Sequence, residues 1–176
     1  EAVTDYVPSL AGSGYAGTTL EDVLTMSSGV RFDEDYGDFN SDINRMGRAI
    51  AFGTSIDEFV RSLQPERPPG TYHHYVSMDT QVLAMVLRAA TGETLSSYMQ
   101  SRLWQRIGTE ADAYWLVDDK GMELAFGGLN ATLRDYARLR QLYLQNGTWG
   151  GEQVVPAEWV EKSVSPTAAR LQPGPN

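Results

Sequence analysis

Gly70-Thr71-Tyr72-His73-His74-Tyr75-Val76-Ser77-Met78-Asp79 opens into the apolar run Thr80 to Ala90, and this junction decides how the chain is read. Pro65, Pro68 and Pro69 precede it; their fixed φ and restricted neighbours keep the approach extended, so no helix can begin before Gly70. Beyond it, Val82, Leu83, Val86 and Leu87 recur at the spacing of one buried helical face, with Ser77 or Asp79 as the expected cap of a helix over 78–90. Tyr75 therefore stands just before a helix N-terminus. The unpaired N–H groups there favour negative charge, so a phenol beside them could accept a proton if a cation also lay near. The plainer reading is a tyrosine wedged between a loop and a core helix.

Working outward, the 176 residues suffice for one domain with a real core, and 41% hydrophobic against 21% charged residues is ordinary for a globular chain. No apolar run is long enough to span a bilayer. Lys plus Arg number 14 and Asp plus Glu 23, giving a net charge of -9, and no basic stretch could neutralise a row of phosphates. Nucleic acid is excluded as a partner on that ground. With no cysteine there is no disulfide, thiolate nucleophile or Cys-based zinc site, a composition that fits cytoplasm and periplasm equally. Glu1-Ala2-Val3 at one end and the Pro/Gly-rich Gln172-Pro173-Gly174-Pro175-Asn176 at the other read as cuts in a longer chain.

Capping boxes mark several further helices. Thr18 with Glu21, or Thr19 with Asp22, predicts a helix from about Leu20 to Met26 ended by Gly29. Val30 to Asn44 reads as an irregular acidic loop whose Phe32, Tyr36 and Phe39 form a pocket wall or pin the loop to the core. Ser55 with Glu58 opens a helix whose apolar side is Ile56, Phe59, Val60 and Leu63. Thr91-Gly92 ends the helix after Tyr75, and Thr94 opens another carrying Leu95, Tyr98, Met99, Leu103 and Trp104. Ala113 to Val117 has strand composition and Gly127-Gly128 makes a tight turn. Thr132 with Asp135 caps a helix expected to turn Tyr136, Leu139, Leu142 and Tyr143 inward. A hairpin arm over 149–155 and a final helix, Ala157 to Ser163 with Pro156 at its first position, complete the chain.

Spacing alone yields little chemistry. His73 and His74 diverge in an extended segment and neither has a second ligand at a metal spacing. Asp33-Glu34-Asp35 and Asp118-Asp119 read as solvated loop charges, since nothing nearby in sequence would desolvate one of them. Ser-x-x-Lys, which sets a lysine one helical turn after a nucleophilic serine, is absent: Val117 precedes Lys120 and Trp159 precedes Lys162 at that spacing.

The order of short motifs carries a resemblance. Tyr6-Val7-Pro8, then Thr19 to Gly29, then Pro69-Gly70-Thr71 with Tyr75-Val76-Ser77, then Gly127 to Arg138, then Pro156-Ala157-Glu158-Trp159-Val160 resembles the serine β-lactamase-like superfamily, in its class C-like and family VIII esterase branch. Glu34-Asp35-Tyr36 and Tyr-x-Ser followed by Thr80, Val82, Leu83 and Ala84 look most like the 6-aminohexanoate (nylon) oligomer hydrolases. The resemblance implies an α+β, β-lactamase/transpeptidase-like fold, of which residues 1–176 would be a single partial domain, the predominantly helical middle. The Ser-x-x-Lys helix and the Lys-Thr-Gly-like strand would lie outside it. It implies an acyl-enzyme hydrolase of a small-molecule ester or amide, with no cofactor and no metal; association into a homodimer stays open.

Tyr75 takes the position of the family's proton-relaying tyrosine, and Tyr36 that of a loop tyrosine contacting the scissile amide. Ser77, a substrate contact by the same match, stands where many members have Asn, a departure that weakens the case for β-lactam turnover. Phe126 falls at a substrate-contacting position that is polar in the nylon-oligomer branch, and an apolar ring there makes an ester as good a candidate as an amide. Two other classes stay open, a penicillin-binding or D-Ala-D-Ala peptidase-like protein and a non-catalytic helical interaction module.

Overall fold

Ser77–Thr91 forms the longest helix of the chain, and its buried side is shifted from the one the apolar period indicates: Val82 and Val86 are buried but Leu83 and Leu87 only half-buried, while Met78, Ala84 and Met85 are buried, and so are Ser77, Asp79 and Gln81. The computed structural model describes residues 1–172; the Pro/Gly-rich residues 173–176 lie outside the described residues. The chain divides into two compact units, one of residues 1–94 with 116–128 and the other of 95–115 with 129 onward.

In the first unit, short helices α1 (Val3–Tyr6) and α2 (Leu20–Leu24) precede α3 (Asp42–Ala51), α4 (Ile56–Ser62) and α5 (Ser77–Thr91). α5 packs against α1, α2 and α4, and the core between them holds Val3, Leu10, Val23, Ile56, Val60, Met78 and Val82. α2 is closed by the Thr19–Asp22 box, and α4 by the Ser55–Glu58 box that the sequence reading gives. Gly92, in the left-handed region at φ +71, ends α5. Residues 30–40 are irregular as expected, but the loop stops short of Asn44: Ser41 accepts from the Asn44 amide and starts α3, which buries Ile43 and Met46. That helix is missed in sequence because its apolar face is only two residues deep.

The cap of α5 also differs from expectation. Neither Ser77 nor Asp79 caps it; the N-cap is Val76, which has no side-chain acceptor. Asp79 is fully buried, and its Oδ1 accepts from the equally buried Tyr15 hydroxyl at 2.9 Å. Oδ2 has no well-aligned partner, although Ser28 lies near enough to favour the charged form. Asp118 is a second correction: far from being solvated, it is buried and accepts from the backbone N–H groups of Ile56, Lys120 and Met122, tying a loop to the start of α4.

In the second unit, α6 (Leu95–Met99) runs into a π-helical turn, Gln100–Trp104. Strands β1 (Tyr114–Trp115) and β2 (Leu129–Asn130) pair antiparallel, Tyr114 opposite Asn130. α7 (Leu133–Leu144) begins at Thr132, whose hydroxyl accepts from the Asp135 amide. Asp135 is fully buried; the Glu110 N–H at 2.8 Å holds its carboxyl below the usual range, with Arg138 3.1 Å away. Of the four α7 residues expected to face inward, Leu142 is buried, Leu139 half-buried, and Tyr136 and Tyr143 exposed. β3 (Thr148–Trp149) and β4 (Glu152–Gln153) form the expected hairpin, turned by Gly150 at φ +58 and Gly151 at φ +88. α8 (Ala157–Val164) follows Pro156, which is its N-cap and not its first residue, and buries Val160.

Burial pushes the Asp79 carboxyl up from 3.8 to about 7, outweighing the polar groups of nearby Ser28, the Tyr15 hydrogen bond and the nearby His74, all of which favour the charge. Because the folded state binds this proton more tightly than the unfolded chain, the associated stability is complete below about pH 4 and is lost as pH rises through about 7. A shift of that size is worth about 4 kcal/mol as an upper bound. Asp79→Asn keeps the shape and an acceptor for Tyr15 without the charge. Urea midpoints at pH 4.0, 5.5, 7.0 and 8.5 should therefore fall with pH in the wild type and fall much less in the variant; parallel curves would show that Asp79 is not the titrating group.

Candidate active site

Tyr75 is placed by backbone ties in the stretch that leads into it. The segment 26–29 acts as a short rail: Gly29 O accepts from the amides of Glu66 and Arg67, Ser27 O from Gly70, and Met26 O from His74 at 2.8 Å. The rail needs its glycines. Gly29 sits at φ +73, and a Cβ there would lie 2.3 Å from Arg67 O; one on Gly70, at φ +74, would meet the Asp22 carboxylate at 2.7 Å. Met26 itself takes φ +49, a strained setting for a side-chain-bearing residue in a segment that carries a candidate site. The Tyr75 side chain is 52% exposed, immediately ahead of α5, and its hydroxyl makes no hydrogen bond among the described residues. His74 Nε2 lies 3.3 Å from Phe32 O, a loop contact, and His73 is exposed.

Glu34 supplies the cap that α5 lacks. Its carboxylate accepts from the Ser77 amide at 2.5 Å through one oxygen and from the Ser77 hydroxyl at 3.1 Å through the other, across 43 residues of sequence. A carboxylate on the first turn of a 15-residue helix meets unpaired N–H groups and the positive end of the helix dipole together. Ser77 itself is 2% exposed and its hydroxyl proton is directed at Glu34.

Tyr36, two residues beyond Glu34, is carried by a loop with its own internal ties. The Asn44 side-chain amide donates to the carbonyls of Tyr36 and Asp38 at 3.1 and 2.8 Å, and the Arg48 guanidinium donates to Phe39 O while lying 3.8 Å over the Phe39 ring. Tyr36 is 71% exposed and lines a shallow cavity with Gly37, Phe39, Asn44, Gly47 and Arg48; neither Tyr75 nor Phe126 lines it. Phe126 is half-buried in the turn 125–127, which Gly128 N closes on Leu124 O at 2.7 Å. The structure thus joins the Tyr36 loop to the start of α5 through Glu34 and Ser77. All four candidate residues belong to the first unit.

Sequence reasoning missed Glu34 and the buried Asp79. No local signal marked the first, because Ser77 and Asp79 stand in the first turn as apparent local caps. Among the described residues, no group of three or more His, Cys, Asp or Glu side chains comes together to hold a metal ion.

The fold is β-lactamase/transpeptidase-like. Residues 1–175 match the β-lactamase family model, and the chain belongs to that family of serine hydrolases. It is 34% identical over 168 residues to the 6-aminohexanoate-dimer hydrolase of Paenarthrobacter ureafaciens, covering 92% of this chain and 43% of that protein. A Bacillus anthracis protein assigned as a 6-aminohexanoate-dimer hydrolase superposes with a TM-score of 0.82 at 27% identity, over 92% of this chain and 45% of that one. A penicillin-binding protein homologue from Caulobacter crescentus shares the fold, with a TM-score of 0.67 at 15% identity over 95% of this chain and 54% of that one. The chain spans less than half the length of the two hydrolases it matches. No helix among the described residues is long and apolar enough to cross a membrane.

Proposed function

We propose that this chain is the tyrosine-bearing part of a longer serine hydrolase that cleaves a linear amide or ester through an acyl-enzyme, with Tyr75 moving the proton. The observation that carries the reading is the 34% identity to a 6-aminohexanoate-dimer hydrolase over 168 residues, a span that includes nearly all of this chain. The geometry of Tyr75 supports it, since a half-exposed phenol with a free hydroxyl, on a segment tied at Ser27 and Met26, is held in place yet open to a substrate.

In the proposed reaction a serine outside this chain attacks the substrate carbonyl while its proton passes to the Tyr75 oxygen, which a lysine also outside the chain holds as the phenolate. The tetrahedral adduct then collapses, the bond from carbonyl carbon to nitrogen or oxygen breaks, and the Tyr75 hydroxyl delivers the proton to the departing amine or alcohol. Water reverses the sequence to free the acid. Tyr36 contacts the scissile group, and its hydroxyl matters most where the leaving group is poor. Ser77 contributes to the substrate site through Glu34 and so through the position of the Tyr36 loop. Phe126 lines the site with an apolar ring, which suits an aliphatic chain in the substrate.

Two measurements test this. The 176-residue chain alone should not hydrolyse p-nitrophenyl acetate or butyrate, whereas the longer protein should, and Tyr75→Phe in it should lower kcat by about 10²- to 10⁴-fold; a Tyr75→Phe enzyme of undiminished kcat would refute the proton relay. On a matched amide and ester pair, Tyr36→Phe should depress amide turnover more than ester turnover, because the amine needs help to leave in the transition state. An equal loss on both would show that Tyr36 only packs.

A further inference from the structure

Gln81 is a polar side chain with no exposure at all, in the second turn of α5. Its amide is used on both sides: Nε2 donates to Glu123 O at 2.9 Å and Oε1 accepts from Ala125 N at 2.8 Å. One side chain thereby pairs the carbonyl of one residue and the N–H of the next but one, as a neighbouring strand would, where the bridge residue Glu123 leads into the turn that Ala125 opens. That arrangement fixes register. A slip of one residue along 123–125 would turn both groups away and leave the two polar atoms of the fully buried Gln81 amide unpaired, each costly away from water.

A Leu or Met would fill the same space at lower desolvation cost, so the amide is rewarded only by the segment it holds. The residue directly after the clamp is Phe126. Gln81 also stands one helical turn beyond Ser77, and residues four apart share a face of a helix. Ser77 is where Glu34 anchors the loop of Tyr36, and Tyr75 is two residues before it. The Tyr36 loop and the Phe126 turn are therefore hung, through Ser77 and Gln81, from one face of the helix that Tyr75 heads.

We propose that Gln81 is a positioning residue for substrate selection: by clamping 123–125 it sets where the Phe126 ring stands relative to Tyr75, and so which acyl or alkyl chain the hydrolase accepts. This rests on the reading of Tyr75 and Phe126 as substrate-site residues given above. It adds that selection is set from beneath the site, by a residue that never touches substrate.

Gln81→Met keeps length and volume and removes both hydrogen bonds, and Val82→Ala, at a fully buried neighbour, serves as a control for general loosening. In the 176-residue chain, Gln81→Met should speed hydrogen exchange of the Ala125 amide at least about tenfold and shift the Phe126 ring resonances, leaving the Ser77 amide as it was. In the longer enzyme, assayed on p-nitrophenyl acetate, butyrate and hexanoate, kcat on acetate should stay within about threefold. The ratio of kcat/KM between hexanoate and acetate should change by about fivefold or more, through KM. Val82→Ala should leave that ratio unchanged. An unchanged ratio in Gln81→Met, an equal loss on every ester, or the same change in Val82→Ala would each overturn the proposal, as would unaltered Ala125 exchange. An enzyme that cleaves none of these esters would instead count against the hydrolase reading, and Ala125 exchange would still decide whether the clamp holds the turn.

Discussion

The first N–H of helix α5, at Ser77, finds its acceptor in the Glu34 carboxylate, 43 residues away in sequence. A local Ser or Asp cap would have satisfied the same group within one stretch of chain. Using a distant carboxylate instead makes the start of the helix conditional on the loop, and the loop conditional on the helix. Tyr36 and Tyr75 sit within two residues of the two ends of that contact, so the interaction that completes the helix also relates two candidate site residues. The tie at Asp118, from a buried carboxylate to the Ile56 amide, does the same for the start of α4.

Buried polar groups recur along α5, and they are not there for stability. Tyr15 with Asp79, Glu34 with Ser77, and Gln81 with the 123–125 backbone each exchange apolar packing for direction. A net hydrogen bond contributes about 1 kcal/mol, whereas an orphaned buried partner costs about 1–3 kcal/mol. Such contacts therefore penalise wrong arrangements more than they favour the right one. Asp79 shows the cost openly, since burial keeps its carboxyl near neutrality and weakens the fold as pH rises.

Much of the local structure was legible because it rests on short-range chemistry. The Thr19, Ser55 and Thr132 caps, the Gly92 stop and the hairpin over 148–153 each depend on residues within a few positions of one another. What was not legible depends on partners distant in sequence. Asp118 reads as a loop charge until Ile56, Lys120 and Met122 converge on it, and Asp79 reads as a cap until Tyr15 is beneath it. The inward face expected of α7 failed for a different reason: periodicity marks a stripe, but Tyr136 and Tyr143 remain exposed in the unit described. Of the candidate site, Tyr75 and Tyr36 were singled out from local sequence and given their roles by resemblance, Ser77 and Phe126 were assigned to it through resemblance, and the contacts that hold them were beyond any motif.

The dependence of α5 on Glu34 can be measured residue by residue through amide hydrogen exchange in Glu34→Ala. The amides of Ser77 and Met78 should lose protection by about tenfold or more, together with those of the Tyr36 loop, while the centre of the helix, Val82 to Leu87, exchanges as before. Undiminished protection at Ser77, or uniform loss along the whole helix, would contradict the view that this one carboxylate closes the helix and holds the loop to it.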